Sequence, residues 1–127
     1  MSLFPASTPV AFVNVAERDR ALAFYTGVLG LTLKSSDGFG DFLTFGDGAL
    51  IRLTALPGYA PTGHPVVGWN VADIVAAVQA LTAKGVTMTI YEGLGQDAMG
   101  IWTSPDGAAK VAFFPDPDGN TLSLAQG

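Results

Sequence analysis

Cysteine is absent from the 127 residues, which excludes disulfides, thiolate metal sites and thiol nucleophiles together. The same absence fits a reducing, cytoplasmic compartment. Positive charge is scarce: six Lys and Arg stand against eleven Asp and Glu, for a net charge of −5. Arg18, Arg20, Lys34, Arg52, Lys84 and Lys110 are scattered, and no basic stripe offers itself to nucleic acid. Histidine occurs once, at His64, so any Ser-His-Asp triad would have to use it, and no nucleophile-elbow motif is present. No apolar run approaches membrane-spanning length, and Met1-Ser2-Leu3-Phe4 lacks the basic start and apolar core of a secretory signal. With 49% apolar and 13% charged residues, the expectation is a soluble, globular chain of one domain, 1–127.

What is present is a duplication. Val10-Ala11-Phe12-Val13-Asn14-Val15-Ala16-Glu17 returns as Val66-Val67-Gly68-Trp69-Asn70-Val71-Ala72-Asp73. After each copy comes a helix-like run with apolar residues at i, i+3, i+4 and i+7 spacing, over Arg18–Val28 and Ile74–Lys84. Each run stops at a glycine, Gly30 or Gly85, and a β-rich run follows, Leu31–Ser35 or Val86–Tyr91.

In chain order, strands are expected at Val10–Val15, Leu31–Ser35, Phe42–Phe45 and Ala49–Ala55, with Asp37-Gly38 and Gly46-Asp47-Gly48 as hairpin turns. The Pro- and Gly-rich stretch 57–64 reads as a linker. The second half offers strands at Val66–Val71, Val86–Tyr91, Ile101–Thr103, Ala109–Phe114 and Thr121–Ala125. Its turns are Ser104-Pro105-Asp106-Gly107 and Asp116-Pro117-Asp118-Gly119-Asn120. The fold class is α+β: one βαβββ repeat over 9–56 and another over 65–126, their paired sheets enclosing a cleft.

The pattern Asn14-Val15-Ala16-Glu17 … Ala23-Phe24-Tyr25 … Val28-Leu29-Gly30-Leu31, closed by Asp116-Pro117-Asp118-Gly119-Asn120, resembles the glyoxalase/bleomycin-resistance/extradiol-dioxygenase superfamily, also called the vicinal oxygen chelate superfamily. The resemblance runs from Val10 to Ala125 and implies that fold. The fold hosts isomerases, dioxygenases, thiol transferases and drug-sequestering proteins, so it does not choose among functions. In the enzymes that it resembles, His, Gln or Glu at two positions of each half hold a divalent metal. Carried over by the motifs, those positions are Val10, Arg52 (or Ile51, with a one-residue slip), Val66 and Ser123. Valine has no lone pair, arginine is a fixed cation and neutral serine is a poor donor, so no metal or other cofactor is expected.

The same resemblance makes Arg52 face the cleft, with Ile51 and Leu53 turned to the helix layer. There it would pair with a carboxylate or phosphate of a ligand, or else snorkel toward a surface aspartate. Phe12 and Asn14 share the face of Val10, and Gly68 and Asn70 that of Val66. The two asparagines either donate into the cleft or satisfy strand-end backbone groups. Trp102 belongs at the rim, whereas Trp69 alternates into the core. Tyr25, Asp41 and Glu92 are potential acids or bases that nothing places, and no catalytic residue is assigned. His64 reads as a solvated loop residue. Three functions remain open. One is a metal-free protein binding a small organic molecule through Val10, Phe12, Asn14, Arg52, Val66, Asn70, Trp102 and Ser123. The others are a metal-independent isomerase or lyase and a non-catalytic interaction module. The resemblance also implies a homodimer.

Overall fold

The computed structural model describes residues 3–45 and 48–127. Of the turn expected at Gly46-Asp47-Gly48, Gly46 and Asp47 lie outside them. The chain forms two compact units, Met1–Tyr59 and Ala60–Gly127. Their boundary falls inside the segment expected to link the halves.

In the first unit, β1 (Val10–Val15) leads into α1 (Arg18–Ala23), and β2 (Thr32–Ser36), β3 (Gly40–Thr44) and β4 (Leu50–Ala55) follow. The sheet order is β1-β4-β3-β2, with β1 parallel to β4 and the other pairs antiparallel. Alternation sends Val13, Val15, Leu43, Ile51 and Leu53 to one face, where they are fully buried with Ala21 and Tyr25 of the helical segment. The expected helix over 18–28 forms, but its second half, Phe24–Val28, winds as a π-helical turn. There Leu29 N–H reaches back five residues to the Phe24 carbonyl, and the Thr26 hydroxyl donates to the Leu22 carbonyl. A hydroxyl competing for a carbonyl four residues back is a local cause of such loosening. Gly30, at φ 79°, ends the segment.

In the second unit, β5 (Pro65–Asn70) leads into α2 (Ile74–Ala83), with β6 (Trp102–Thr103), β7 (Lys110–Pro115) and β8 (Thr121–Gln126) after it. The order β5-β8-β7-β6 repeats that of the first unit, strand for strand. Asp73 caps α2 by accepting from Ala76 N–H at 3.1 Å. At the other end Gly85 (φ 89°) donates to Thr82 and Val86 donates to Leu81, the paired bonds that close a helix on a left-handed glycine. Ile74, Val78 and Leu81 pack on the sheet face carrying Ala112, Phe114, Leu122 and Leu124.

One expected strand is absent. Val86–Tyr91 forms no regular ladder; it keeps a single sheet-like bond, Thr89 N–H to the Phe113 carbonyl at 2.8 Å. The physical reason is Gln96. Its Oε1 accepts Tyr91 N–H at 2.7 Å, and its Nε2 donates to the Thr89 and Gly100 carbonyls at 2.9 and 2.8 Å. A side chain thus satisfies backbone groups that a ladder would have used. The edge place beside β7, which β2 holds beside β3 in the first unit, passes to the two-residue β6.

Candidate functional site

On the helix-free face of the first sheet, β1, β4 and β3 place Phe12, Arg52 and Phe42 side by side in one row, since Arg52 is opposite Phe12 on one flank and Phe42 on the other. The guanidinium carbon lies 5.9 Å from the Phe12 ring centroid and 5.3 Å from that of Phe42. Both distances fit a cation held against aromatic faces. Ile51 and Leu53 point to the helix face and are fully buried, as alternation requires.

Arg52 is incompletely satisfied. Its Nε is buried without a hydrogen-bond partner among the described residues, and the nearest carboxylate, Asp37 Oδ1, is 4.0 Å from Nη2. Asp37 is already engaged, because the same oxygen accepts Phe39 N–H at 2.8 Å and Gly40 N–H at 3.0 Å. Those two backbone bonds hold its carboxyl below the ordinary carboxylate range, with Arg52 and Arg18 as smaller contributions against a burial penalty. Gly40 makes the crossing possible: a Cβ there would stand 2.2 Å from the Leu53 carbonyl oxygen and 3.5 Å from Arg52 Nε.

A neighbouring cluster is structural. Asp41 is 3% exposed and receives Arg18 through Nε at 3.1 Å and Nη2 at 3.0 Å, with the Ser36 hydroxyl at 2.7 Å. The Arg18 bonds hold the Asp41 carboxyl below its usual range, while Asp41 raises Arg18 in turn. Arg18 also donates to the Gly40 carbonyl at 2.9 Å. The cluster pins the β2–β3 hairpin to the start of α1. Asp41 and the fully buried Tyr25 are therefore parts of the scaffold.

The expected site residues sort by unit. Val10, Phe12, Asn14 and Arg52 share the helix-free face of the first sheet, with Phe12 64% exposed. In the second sheet the row equivalent to Phe12–Arg52–Phe42 is Gly68–Ser123–Phe113, so Arg52 corresponds to Ser123 and Asn14 to Asn70, as the duplication implies. Ser123 fills the space left by Gly68, whose Cβ would meet Ser123 Oγ at 2.2 Å. Trp102 pairs with Val111 on that same face. Val66 needs a correction: it sits in a bulge, and Pro65 is opposite Thr121, the place that Val10 takes opposite Leu50. A one-residue bulge shifts the parity of the strand start, which repeat alignment alone does not reveal. Trp69 lies against Phe114, centroids 6.4 Å apart, on the helix side.

The two turns expected at Asp116–Asn120 and Asp37-Gly38 are held by their aspartate carboxylates. Asp116 Oδ1 accepts Asp118 and Asn120 N–H, each at 2.9 Å, and Asn120 Nδ2 donates to Asp116 Oδ2 at 2.9 Å. Asp37-Gly38 does turn a hairpin, but through the Asp37 carboxylate; Gly38 does not take the positive φ that the Asp-Gly signal usually means.

What sequence reasoning missed is a groove in the second unit. About 590 Å³ of open space is lined by His64, Pro65, Tyr91, Glu92, Leu94 and Phe113, among others. The signal was faint: the loop after Val86 is tied back by Gln96, a long-range effect of one side chain.

The topology matches a known pattern. The model of the Glyoxalase/Bleomycin resistance protein/Dioxygenase superfamily matches residues 8–124. The chain belongs to this superfamily. A superfamily member from Sphaerobacter thermophilus DSM 20745 is 26% identical with a TM-score of 0.71, covering 96% of this chain and 98% of its own. TnmS3, an antibiotic binding protein from Streptomyces sp. CB03234, is 22% identical with a TM-score of 0.72 and 98% coverage of both chains. Lactoylglutathione lyase from Agrobacterium tumefaciens is 17% identical with a TM-score of 0.71, covering 97% of this chain and 95% of its own. No curated protein matches the sequence. The positions that the resemblance carries over for a metal, Val10, Val66, Arg52 and Ser123, supply no donor set, nor does Pro65, which takes the place of Val10 in the second sheet; no three His, Asp or Glu among the described residues gather to hold an ion.

Proposed function

We propose that the protein binds a small organic molecule bearing an anionic group and a flat apolar body, with Arg52 as the anchor and without the superfamily's metal. The observation that carries this is the row Phe12–Arg52–Phe42: a cation held between two rings on a half-open sheet face, its nearest carboxylate 4.0 Å away and committed to a turn. A carboxylate-bearing ligand can accept from the guanidinium while its body lies on the rings. Val10 and Asn14 border that surface. Asn70, Ser123 and Trp102 belong to the corresponding surface of the second sheet, and the working form is a homodimer. Among structural relatives, TnmS3 is described as an antibiotic binding protein, so the fold accommodates a binding role.

The test is a thermal-shift screen of aromatic carboxylic acids, followed by titration of each hit against wild type and Arg52→Ala. A charge-assisted contact contributes about 1.5–3 kcal/mol, so the variant should bind about ten- to a hundred-fold more weakly while remaining folded. Equal affinity of the two proteins for a real ligand would remove Arg52 from the site. Chemical conversion of the hit would move the protein from binding to catalysis.

A further inference from the structure

The groove of the second unit has a chemistry of its own. Its walls are mostly apolar: Tyr91 and Phe113 meet edge to face with centroids 5.5 Å apart, and Leu94 continues the surface. Tyr91 and Leu94 are 38% and 39% exposed, so apolar faces are open to a ligand. The lining carries one carboxylate, Glu92, and neither lysine nor arginine. Its one imidazole, His64, lies with Nδ1 2.5 Å from the Thr62 hydroxyl. The wall is held in place, because Gln96 ties the backbone of Tyr91 to Thr89 and Gly100, and Thr89 is tied to Phe113. A fixed aromatic corner beside an unopposed carboxylate suits a cation with an apolar body, which gains both from the ring faces and from the charge.

We infer that this groove is a binding site for small amines: a protonated primary amine directed at Glu92, with an aromatic or alkyl body against Tyr91, Phe113 and Leu94. The inference shares no residue with the Arg52 reading and concerns the opposite charge, although Phe113 stands beside Ser123 in the second sheet. His64 supplies the means to test it, since the chain has a single histidine and its ring proton resonances report on this groove alone. The probes are phenethylamine and phenylacetate, similar in body and opposite in charge, titrated into the full chain while the His64 signals are followed at constant pH. Phenethylamine should shift them saturably with a Kd of about 1–10 mM, as expected for so few heavy atoms. Phenylacetate should leave them in place. Glu92→Gln should weaken phenethylamine binding about ten-fold, and Phe113→Ala by a similar factor. Should Phe113→Ala fail to fold, Tyr91→Leu replaces it with the same expectation. Phenylacetate binding as tightly as phenethylamine, unchanged affinity in Glu92→Gln, or shifts that never saturate would each overturn the assignment.

Discussion

At the scale of the residue, the first sheet depends on side chains that are small or charged for definite reasons. Gly40 is required by proximity alone, since any Cβ would stand 2.2 Å from a neighbouring carbonyl oxygen. Gly40→Ala should therefore push β3 off β4 and cost about 2–4 kcal/mol, read as a lowered urea midpoint. Asp41 gives a pH signature. Its folded carboxyl titrates below the usual value, so the unfolded chain binds the proton first as pH falls. Its contribution is thus fully present above the ordinary aspartate pKa of about 4 and disappears as pH drops through the lower folded value. Asp41→Asn should lower stability at neutral pH and flatten the acid limb, as measured by urea unfolding at a series of pH values. An unchanged acid limb would mean that other carboxylates set the acid sensitivity.

At the scale of the element, the duplication sets up an internal comparison. Asp73 caps α2 with its side chain, whereas Glu17, at the same place in the first repeat, makes no side-chain cap. The extra methylene carries a glutamate carboxylate past the N–H groups that an aspartate reaches. Asp73→Ala should cost about 1 kcal/mol, and Glu17→Ala close to nothing; thermal midpoints of the two variants check the difference. Glu17→Asp should be neutral or stabilising. A further element owes its form to one residue, since Gln96 withdraws Val86–Tyr91 from the ladder. Most elements were legible beforehand. The apolar alternation of β1, β4, β7 and β8 and the glycine stops of both helices are local signals, and they marked these elements to within one or two residues.

At the scale of the whole molecule, the two units share one strand order, as duplicated sequence should. Elemental analysis of the purified protein should find no stoichiometric Zn, Ni, Mn or Fe, because the four positions carried over from the resemblance hold two valines, an arginine and a serine. About one equivalent of such a metal, lost on substituting one of those residues, would overturn the metal-free reading. Light scattering should give twice the 13.1 kDa chain mass if the protein works as a homodimer; a monomer at micromolar concentration would refute that part. Among the described residues no helix is long and apolar enough to cross a membrane.

The chain by itself determined the repeat and the class of fold, which follow from periods of 2 and 3.6 and from glycine placement and so depend on near neighbours in sequence. The face that Arg52 takes was implied by the family resemblance. Tertiary structure decided the rest. That Arg52 lies between Phe12 and Phe42 is a matter of strand order and register, because the three residues come from three strands. That Val66 falls in a bulge, and that His64, Tyr91 and Glu92 line one groove, depends on bonds between distant segments. Local pattern specifies which face a side chain takes; only the pairing of strands and the anchoring of loops specify its neighbours.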